Sequence, residues 1–258
     1  LVITLTGGEP FLHQSVYDLA DYLDGLPCSH ELNFISNGTV LPDTERLRRL
    51  RKLTRLYISL ESHLAPVNDS IRGTGALAAA RKNIRLVTGY GLPTGVMTTL
   101  MNKNIGSLTA GFEDFVTFVA RLPGNEIIFE RFVPVGQASP FKDEVVPERI
   151  YSTFLETLAG YCRVEFQDIR GFKAFKLVLN ENTVDIMGAP CTSGKDGAAL
   201  LCDATVYPCR RLPVRLGNLL EDDLAELIPG DDIRQTCALG ANTDYLDCWA
   251  ISESLREG

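Results

Sequence analysis

The strongest constraint on this chain is an alternation of element types. Five runs of strand character precede residue 135: Leu1 to Leu5, Glu31 to Ile35, Arg55 to Leu60, Gly95 to Leu100 and Glu126 to Phe132. Between them lie stretches with helical spacing, over residues 12–26, 43–53, 75–88 and 108–120. In the first, Leu12, Val16, Leu19, Ala20 and Leu23 recur on one face, which predicts a helix lying over a sheet. Asp43 is placed to cap the second. Strands joined through helices pair in parallel, because a right-handed crossover brings the chain back running the same way. The expected fold is therefore α/β, with a parallel sheet either open or curled into a partial or full barrel.

After residue 133 the pattern changes. Pro134-Val135-Gly136-Gln137-Ala138-Ser139-Pro140 has a linker's composition, and a boundary is expected near residue 140. An amphipathic helix over 148–159 follows, then strands at Val164-Glu165-Phe166 and Ala174 to Leu179 that would belong to a smaller unit. The expected division is 1–140, 141–187 and a cysteine-rich 188–258. A net charge of −8 and a pI near 5.0 disfavour a nucleic-acid surface, leaving Arg46-Leu47-Arg48-Arg49 as a solvated helix face. No apolar run approaches the ~18 residues of a membrane span, so a soluble, cytoplasmic chain with no membrane partner is expected. Leu1 opens inside a strand pattern with no turn ahead of it, which predicts a preceding segment.

The first strand run ends in Thr6-Gly7-Gly8-Glu9-Pro10. Ligands in α/β sheets gather just past the carboxyl ends of strands. Two glycines bare main-chain groups there, and a carboxylate beside them can hold an ammonium. The same residues can equally make a tight strand-to-helix turn with a capping acid; four residues leave both readings open.

The order Gly7-Gly8-Glu9-Pro10, Ser36-Asn37-Gly38, Ile58-Ser59-Leu60-Glu61 and Ile71-Arg72-Gly73-Thr74-Gly75 resembles the radical S-adenosylmethionine (radical SAM) enzymes. That resemblance implies a partial parallel (β/α)6 barrel with its site at the carboxyl ends of the strands, and S-adenosyl-L-methionine as cofactor. The family's GGEP turn holds the amino group of the cofactor's methionine, a role that would fall on Gly7, Gly8, Glu9 and Pro10. Ser36, Asn37, Ser59 and Arg72 are similar to positions around the ribose and carboxylate, where a guanidinium can pair in a bidentate fork. Asn37 can equally be a left-handed turn residue before Gly38. Glu61 stands where the related pattern more often has Asp, and Val133-Pro134-Val135 resembles the segment beside the adenine. Glu130 and Arg131 end the last of the five strands. One of them would face the site as proton acceptor or substrate anchor, unless the two form an ion pair closing the barrel.

The family's CxxxCxxC loop is not reproduced by any spacing of the seven cysteines. The resemblance places that loop, with the first strand and the [4Fe–4S] cluster it would hold, ahead of Leu1. Either the chain is truncated or it has lost the chemistry; retention of Gly7 to Pro10, Ser59 and Arg72 together favours truncation. Five cysteines fall in the last 68 residues, a clustering that points to metal rather than disulfides. Cys191-Thr192-Ser193-Gly194, Asp203-Ala204-Thr205-Val206-Tyr207-Pro208-Cys209 and Gly217-Asn218-Leu219 resemble a SPASM or twitch extension, a small α+β auxiliary-cluster domain, with Ala204 where glycine is usual. That resemblance implies one auxiliary [4Fe–4S] cluster on Cys191, Cys209, Cys237 and Cys248. Cys202 is the spare candidate for the second ligand position but reads more readily as a small core residue, and Cys28 and Cys162 read as structural. Four thiolates would also suit zinc, but the segment has no paired CxxC knuckle. The three histidines assemble into no catalytic constellation.

The resemblance implies an enzyme that generates a 5′-deoxyadenosyl radical to abstract hydrogen from a substrate, a peptide or protein in a maturase. The alternatives are a small-molecule dehydrogenase using the auxiliary cluster as electron acceptor, and a non-catalytic iron–sulfur or zinc protein. A flavodoxin or ferredoxin would supply electrons.

Overall fold

The computed structural model describes residues 1–122, 124–172, 174–181, 183–189 and 197–227. The first half alternates as the hydrophobic pattern dictates: β1 (Val2–Leu5), α1 (Val16–Gly25), β2 (Glu31–Ser36), α2 (Thr44–Leu47), β3 (Leu53–Ser59), α3 (Ala65–Arg72), α4 (Ala76–Gly89), β4 (Thr94–Leu100), α5 (Asn102–Ala110), α6 (Phe112–Ala120) and β5 (Glu126–Arg131). Next come α7 (Glu148–Cys162), α8 (Phe166–Ile169), β6 (Ala174–Leu179) and β7 (Val184–Ala189). A small meander of β8 (Ala199–Leu200), β9 (Thr205–Tyr207) and β10 (Gly217–Asn218) precedes α9 (Leu224–Leu227).

The main sheet has seven strands in the order β1-β2-β3-β4-β5-β6-β7. Its first five are parallel, and β6 and β7 add antiparallel. The strand at Ala174–Leu179 thus continues the principal sheet through pairs such as Phe129↔Phe175, rather than starting a separate one. Alternation along each strand sorts the side chains into two sets. Leu56 and Ile58 of β3, Val96 and Leu100 of β4, and Ile127 and Phe129 of β5 join the apolar core with α4, α6 and α7. Arg55, Tyr57, Glu126, Ile128 and Glu130 line the other face, around a cleft of about 500 Å³. An aromatic group anchors the core: Phe129 is fully buried, with ring centroids 5.5 Å from Phe154 and 5.2 Å from Phe175.

Several local expectations are corrected. Helix α1 begins only at Val16, and Leu12 and Leu19 are exposed, so Val16 and Ala20 carry the buried face. Asp43 caps α2 through the Arg46 amide at 3.0 Å, but the helix stops at Leu47. The Lys52 amide is bound to Asp24 Oδ1 at 2.7 Å, holding the turn into β3. The helix expected at 108–120 starts at Asn102 and is broken at Gly111 into α5 and α6. Val164-Glu165-Phe166 is not a strand. Arg163 takes a left-handed conformation (φ 56) that ends α7, and Phe166 opens α8. Helix α3 and strand β7 were not anticipated by the periodicity.

Candidate functional site at the carboxyl ends of the strands

The parallel register of β1 and β2, with Leu5 opposite Phe34, brings the turn after β1 against the end of β2. Glu9 is fixed there from three sides. Its Oε1 accepts from the Ser36 hydroxyl at 2.9 Å and the Phe11 amide at 3.3 Å, and its Oε2 accepts from the Asn37 amide at 2.7 Å. Glu9 also caps the short 3₁₀ turn Pro10–Leu12, so the capping and binding readings of this residue are compatible. Gly7 has φ +139, a region that side chains rarely adopt, while a Cβ on either Gly7 or Gly8 would meet nothing within 4 Å. Conformation, and not space, therefore calls for glycine at position 7.

The left-handed residue of the next turn is Gly38 (φ +73), not Asn37. A Cβ on Gly38 would lie 2.5 Å from Ile58 Cγ2, so glycine is required by both conformation and space. Asn37 instead closes its own turn, with Oδ1 accepting from the Thr39 amide at 2.8 Å.

Ser59 ends β3 and is buried. Two residues on, Glu61 is 1% exposed with both carboxylate oxygens engaged. Oε1 takes the Arg72 guanidinium, with Nε at 2.9 Å and the second nitrogen closer still, and Oε2 accepts from the Thr99 amide at 2.7 Å. Burial pushes the Glu61 carboxyl above its ordinary value, against the opposing pull of Arg72 and the Thr99 amide. Asn104 locks the surrounding backbone, its amide donating to the carbonyls of Glu61 at 3.1 Å and Thr99 at 2.8 Å. Glu61 therefore holds Arg72 from behind.

Glu130 and Arg131 part company, as alternation along β5 requires. Glu130 lines the cleft and pairs with Arg210, whereas Arg131 is 2% exposed with its guanidinium 4.5 Å from the Tyr151 ring centroid. Of the proposed metal ligands only Cys209 is described; Cys191, Cys237 and Cys248 lie outside the described residues. Among the described residues no three His, Cys, Asp or Glu side chains are grouped to hold a metal ion. Cys202 is exposed, not a core residue, because it sits in the reversal between β8 and β9. Ala204 in that reversal has φ 65, which explains why glycine suits the position.

Sequence reasoning missed two groups. Cys28 Sγ lies 3.6 Å from His30 Nδ1, a contact across a two-residue step. On the cleft face, Glu126 accepts from Arg55 at 2.9 Å and from the Tyr57 hydroxyl at 2.8 Å, with Lys176 at 3.4 Å. A charged residue opening an otherwise apolar strand, Glu126-Ile127-Ile128-Phe129, was the available signal for the second. Burial alone would raise the Glu126 carboxyl, but hydrogen bonds from Arg55 and Tyr57 outweigh it and hold the group below its ordinary value. Its stabilising contribution is thus present above the unfolded carboxylate range and lost as pH falls through the lower folded value. Glu126→Gln should cost about 1–3 kcal/mol near neutral pH. Urea titrations should show the gap to the parent chain closing as pH falls through and below the ordinary carboxylate range.

With this geometry in hand, residues 1–108 match the family model described as Radical SAM superfamily. Over those residues the chain is similar to a radical SAM domain. The AdoMet-dependent heme synthase of Methanosarcina barkeri is 27% identical over 88% of this chain and 67% of its own length. The subtilosin biosynthesis protein AlbA of Bacillus subtilis is 30% identical over 41% of this chain and 24% of its own. A solved structure of native anSMEcpe with bound AdoMet superposes with a TM-score of 0.63 at 15% identity, over 99% of this chain and 80% of that one, which establishes the fold. The chain spans about two thirds of the length of the heme synthase relative.

The donor set at this end of the sheet suits the amino-acid end of S-adenosylmethionine. An ammonium needs acceptors, and Glu9 offers a carboxylate fixed by Ser36 and Asn37 beside the unencumbered Gly7 and Gly8. A carboxylate needs a cation, and Arg72 is the one that Glu61 fixes at this end of the sheet. No described helix is long and apolar enough to cross a membrane.

Proposed function

We propose that this chain is the greater part of a radical SAM enzyme that binds S-adenosyl-L-methionine across the carboxyl ends of β1 to β4 and takes hydrogen from a peptide or protein. The supporting observation is a pair of opposite charges, each held from behind: Glu9 by Ser36 and Asn37, and Arg72 by Glu61. Such pre-set partners match a zwitterion without the cost of ordering loose side chains. In this reading Gly7, Gly8 and Glu9 receive the ammonium, and Arg72 takes the carboxylate. Ser36, Asn37 and Ser59 complete the wall, Pro10 stiffens the turn, and Glu61 orients Arg72. The bound cofactor, with a [4Fe–4S] cluster, supplies hydrogen-abstraction chemistry. The five parallel strands are read as part of a partial (β/α)6 barrel, with residues 141–187 connecting it to a twitch-like unit at 188–258. Cys191, Cys209, Cys237 and Cys248 would hold one auxiliary [4Fe–4S] cluster, and a flavodoxin or ferredoxin would deliver electrons.

Relatives such as AlbA, named for bacteriocin biosynthesis, favour a peptide substrate. A small-molecule substrate is the second reading, because the heme synthase matches more than twice as much of this chain as AlbA does.

The deciding experiment is S-adenosylmethionine binding to the anaerobically purified full-length protein by equilibrium dialysis. Hydrogen bonds to charged groups contribute about 1.5–3 kcal/mol, so Glu9→Gln should weaken binding about 10- to 100-fold. Unchanged affinity would remove the cofactor reading. Iron and sulfide analysis should give about eight irons per chain for two cubane clusters and about four for one.

A further inference from the structure

The segment around Cys209 is tied to the end of β5 at three points. The Glu130 carboxylate pairs with the Arg210 guanidinium. Arg211 Nη1 donates to the Arg131 carbonyl at 2.9 Å. Beside these contacts Val133, Val145 and Leu212 form a small buried cluster apart from the main core, with Phe132, Val135, Cys209 and Val214 packed on it. Among the described residues the loop's own fastenings are short-range: an isolated bridge between Cys209 and Leu212, the Val214 amide donating to the Leu212 carbonyl at 2.8 Å, and the Arg211 amide donating to Cys209 Sγ at 3.4 Å. A strand inside a seven-stranded sheet is far stiffer than such a loop.

We propose that Glu130, through Arg210, is the positioning residue for Cys209, clamping its thiol to the end of β5. The proposal rests on the reading of Cys209 as an auxiliary-cluster ligand. A thiolate ligand must be held to within about 0.5 Å of its bonding position, and the barrel strand supplies that stiffness from outside the loop. The same contact gives Glu130 a structural role, with Arg210 held on its Oε2. The ion pair is a contact whose two side chains can be exchanged for one another, so substitution can break it and rebuild it.

The test uses the full-length chain, metal-free and reduced, treated with iodoacetamide, with each alkylated cysteine located by mass spectrometry. A partly exposed ion pair controls local opening by a small factor, so Glu130→Gln and Arg210→Gln should each raise the Cys209 alkylation rate about fivefold. Half-buried Cys162 should react as in the parent, and the exchanged pair, Glu130→Arg with Arg210→Glu, should return Cys209 most of the way. Unchanged Cys209 reactivity in both single variants overturns the clamp. So does a parallel rise at Cys162 that the exchanged pair leaves in place. After anaerobic reconstitution, Glu130→Gln should alter the electron paramagnetic resonance signal of the reduced auxiliary cluster while S-adenosylmethionine affinity is retained; an identical signal overturns the positioning role. If Cys209→Ala keeps all its iron, the cluster reading fails by itself, and the alkylation result still decides whether the thiol is clamped.

Discussion

Arg72→Ala should lower the stability of this chain by about 3 kcal/mol, because it leaves the Glu61 carboxylate buried without its cation. That lies at the low end for a broken buried pair: Arg72 keeps 26% of its side-chain surface exposed, whereas Glu61 keeps 1%. The cost should depend on pH in a defined direction. Burial already raises the Glu61 carboxyl, and removing Arg72 raises it further. A group whose folded value lies above its unfolded value favours the folded state at low pH and loses that advantage as pH rises. Urea denaturation should therefore show a larger penalty for Arg72→Ala near pH 8 than near pH 4, roughly the window around an ordinary glutamate. The double variant Glu61→Leu with Arg72→Met should recover most of the stability, since a packed apolar pair avoids the desolvation cost. It should not recover cofactor binding. An equal penalty at both pH values would show that Glu61 is not the group left uncompensated.

Phe129→Ala should be at least as costly, at about 3–5 kcal/mol, combining lost transfer energy with the cavity left behind. The ring is fully buried and has Phe112, Phe115, Phe154 and Phe175 around it at centroid distances of 5.2 to 6.0 Å. These neighbours come from α6, α7 and β6, so no single movement can close the gap. Phe129→Leu should cost clearly less, and the difference in melting temperature between the two variants checks the cavity explanation.

The parallel half of the fold was legible because its signal is local and repeated. Leu32 and Phe34, or Leu56 and Ile58, announce a buried strand by themselves, and Asp43 announces a cap. What escaped depended on partners distant in sequence. Glu61 and Arg72 were each singled out from motifs, yet their pairing across the turn and α3 required coordinates. Helix α3 was hidden by Pro66, Asn68, Asp69 and Ser70, which read as turn chemistry; in the fold, Pro66 occupies the helix's first turn and Asp69 accepts the amides of Gly75 and Leu77. Val164-Glu165-Phe166 alternates like a strand, but Arg163 turns the chain before pairing can start. Strand β7, Val184-Asp185-Ile186-Met187, carries half of an alternating pattern and gains its identity from β6 beside it. The Tyr57–Glu126 contact joins residues 69 positions apart, beyond the reach of any local rule. Cys209 was found by its motif, whereas its attachment to Glu130 and Arg131 depends on how the hairpin docks.

The order of strands in the sheet bears on how the protein is made. β1 to β5 lie side by side in the order in which they are synthesised, and β6 and β7 continue that order. Among the described strands of this sheet, none has to be threaded between two that are already paired. On a ribosome delivering about 5–20 residues per second, each strand can join the open margin left by its predecessor while its helix covers the face just formed. The sheet can grow as a strip from β1 onward, and the antiparallel return of β6 after α7, followed by β7, extends the margin that parallel growth leaves behind.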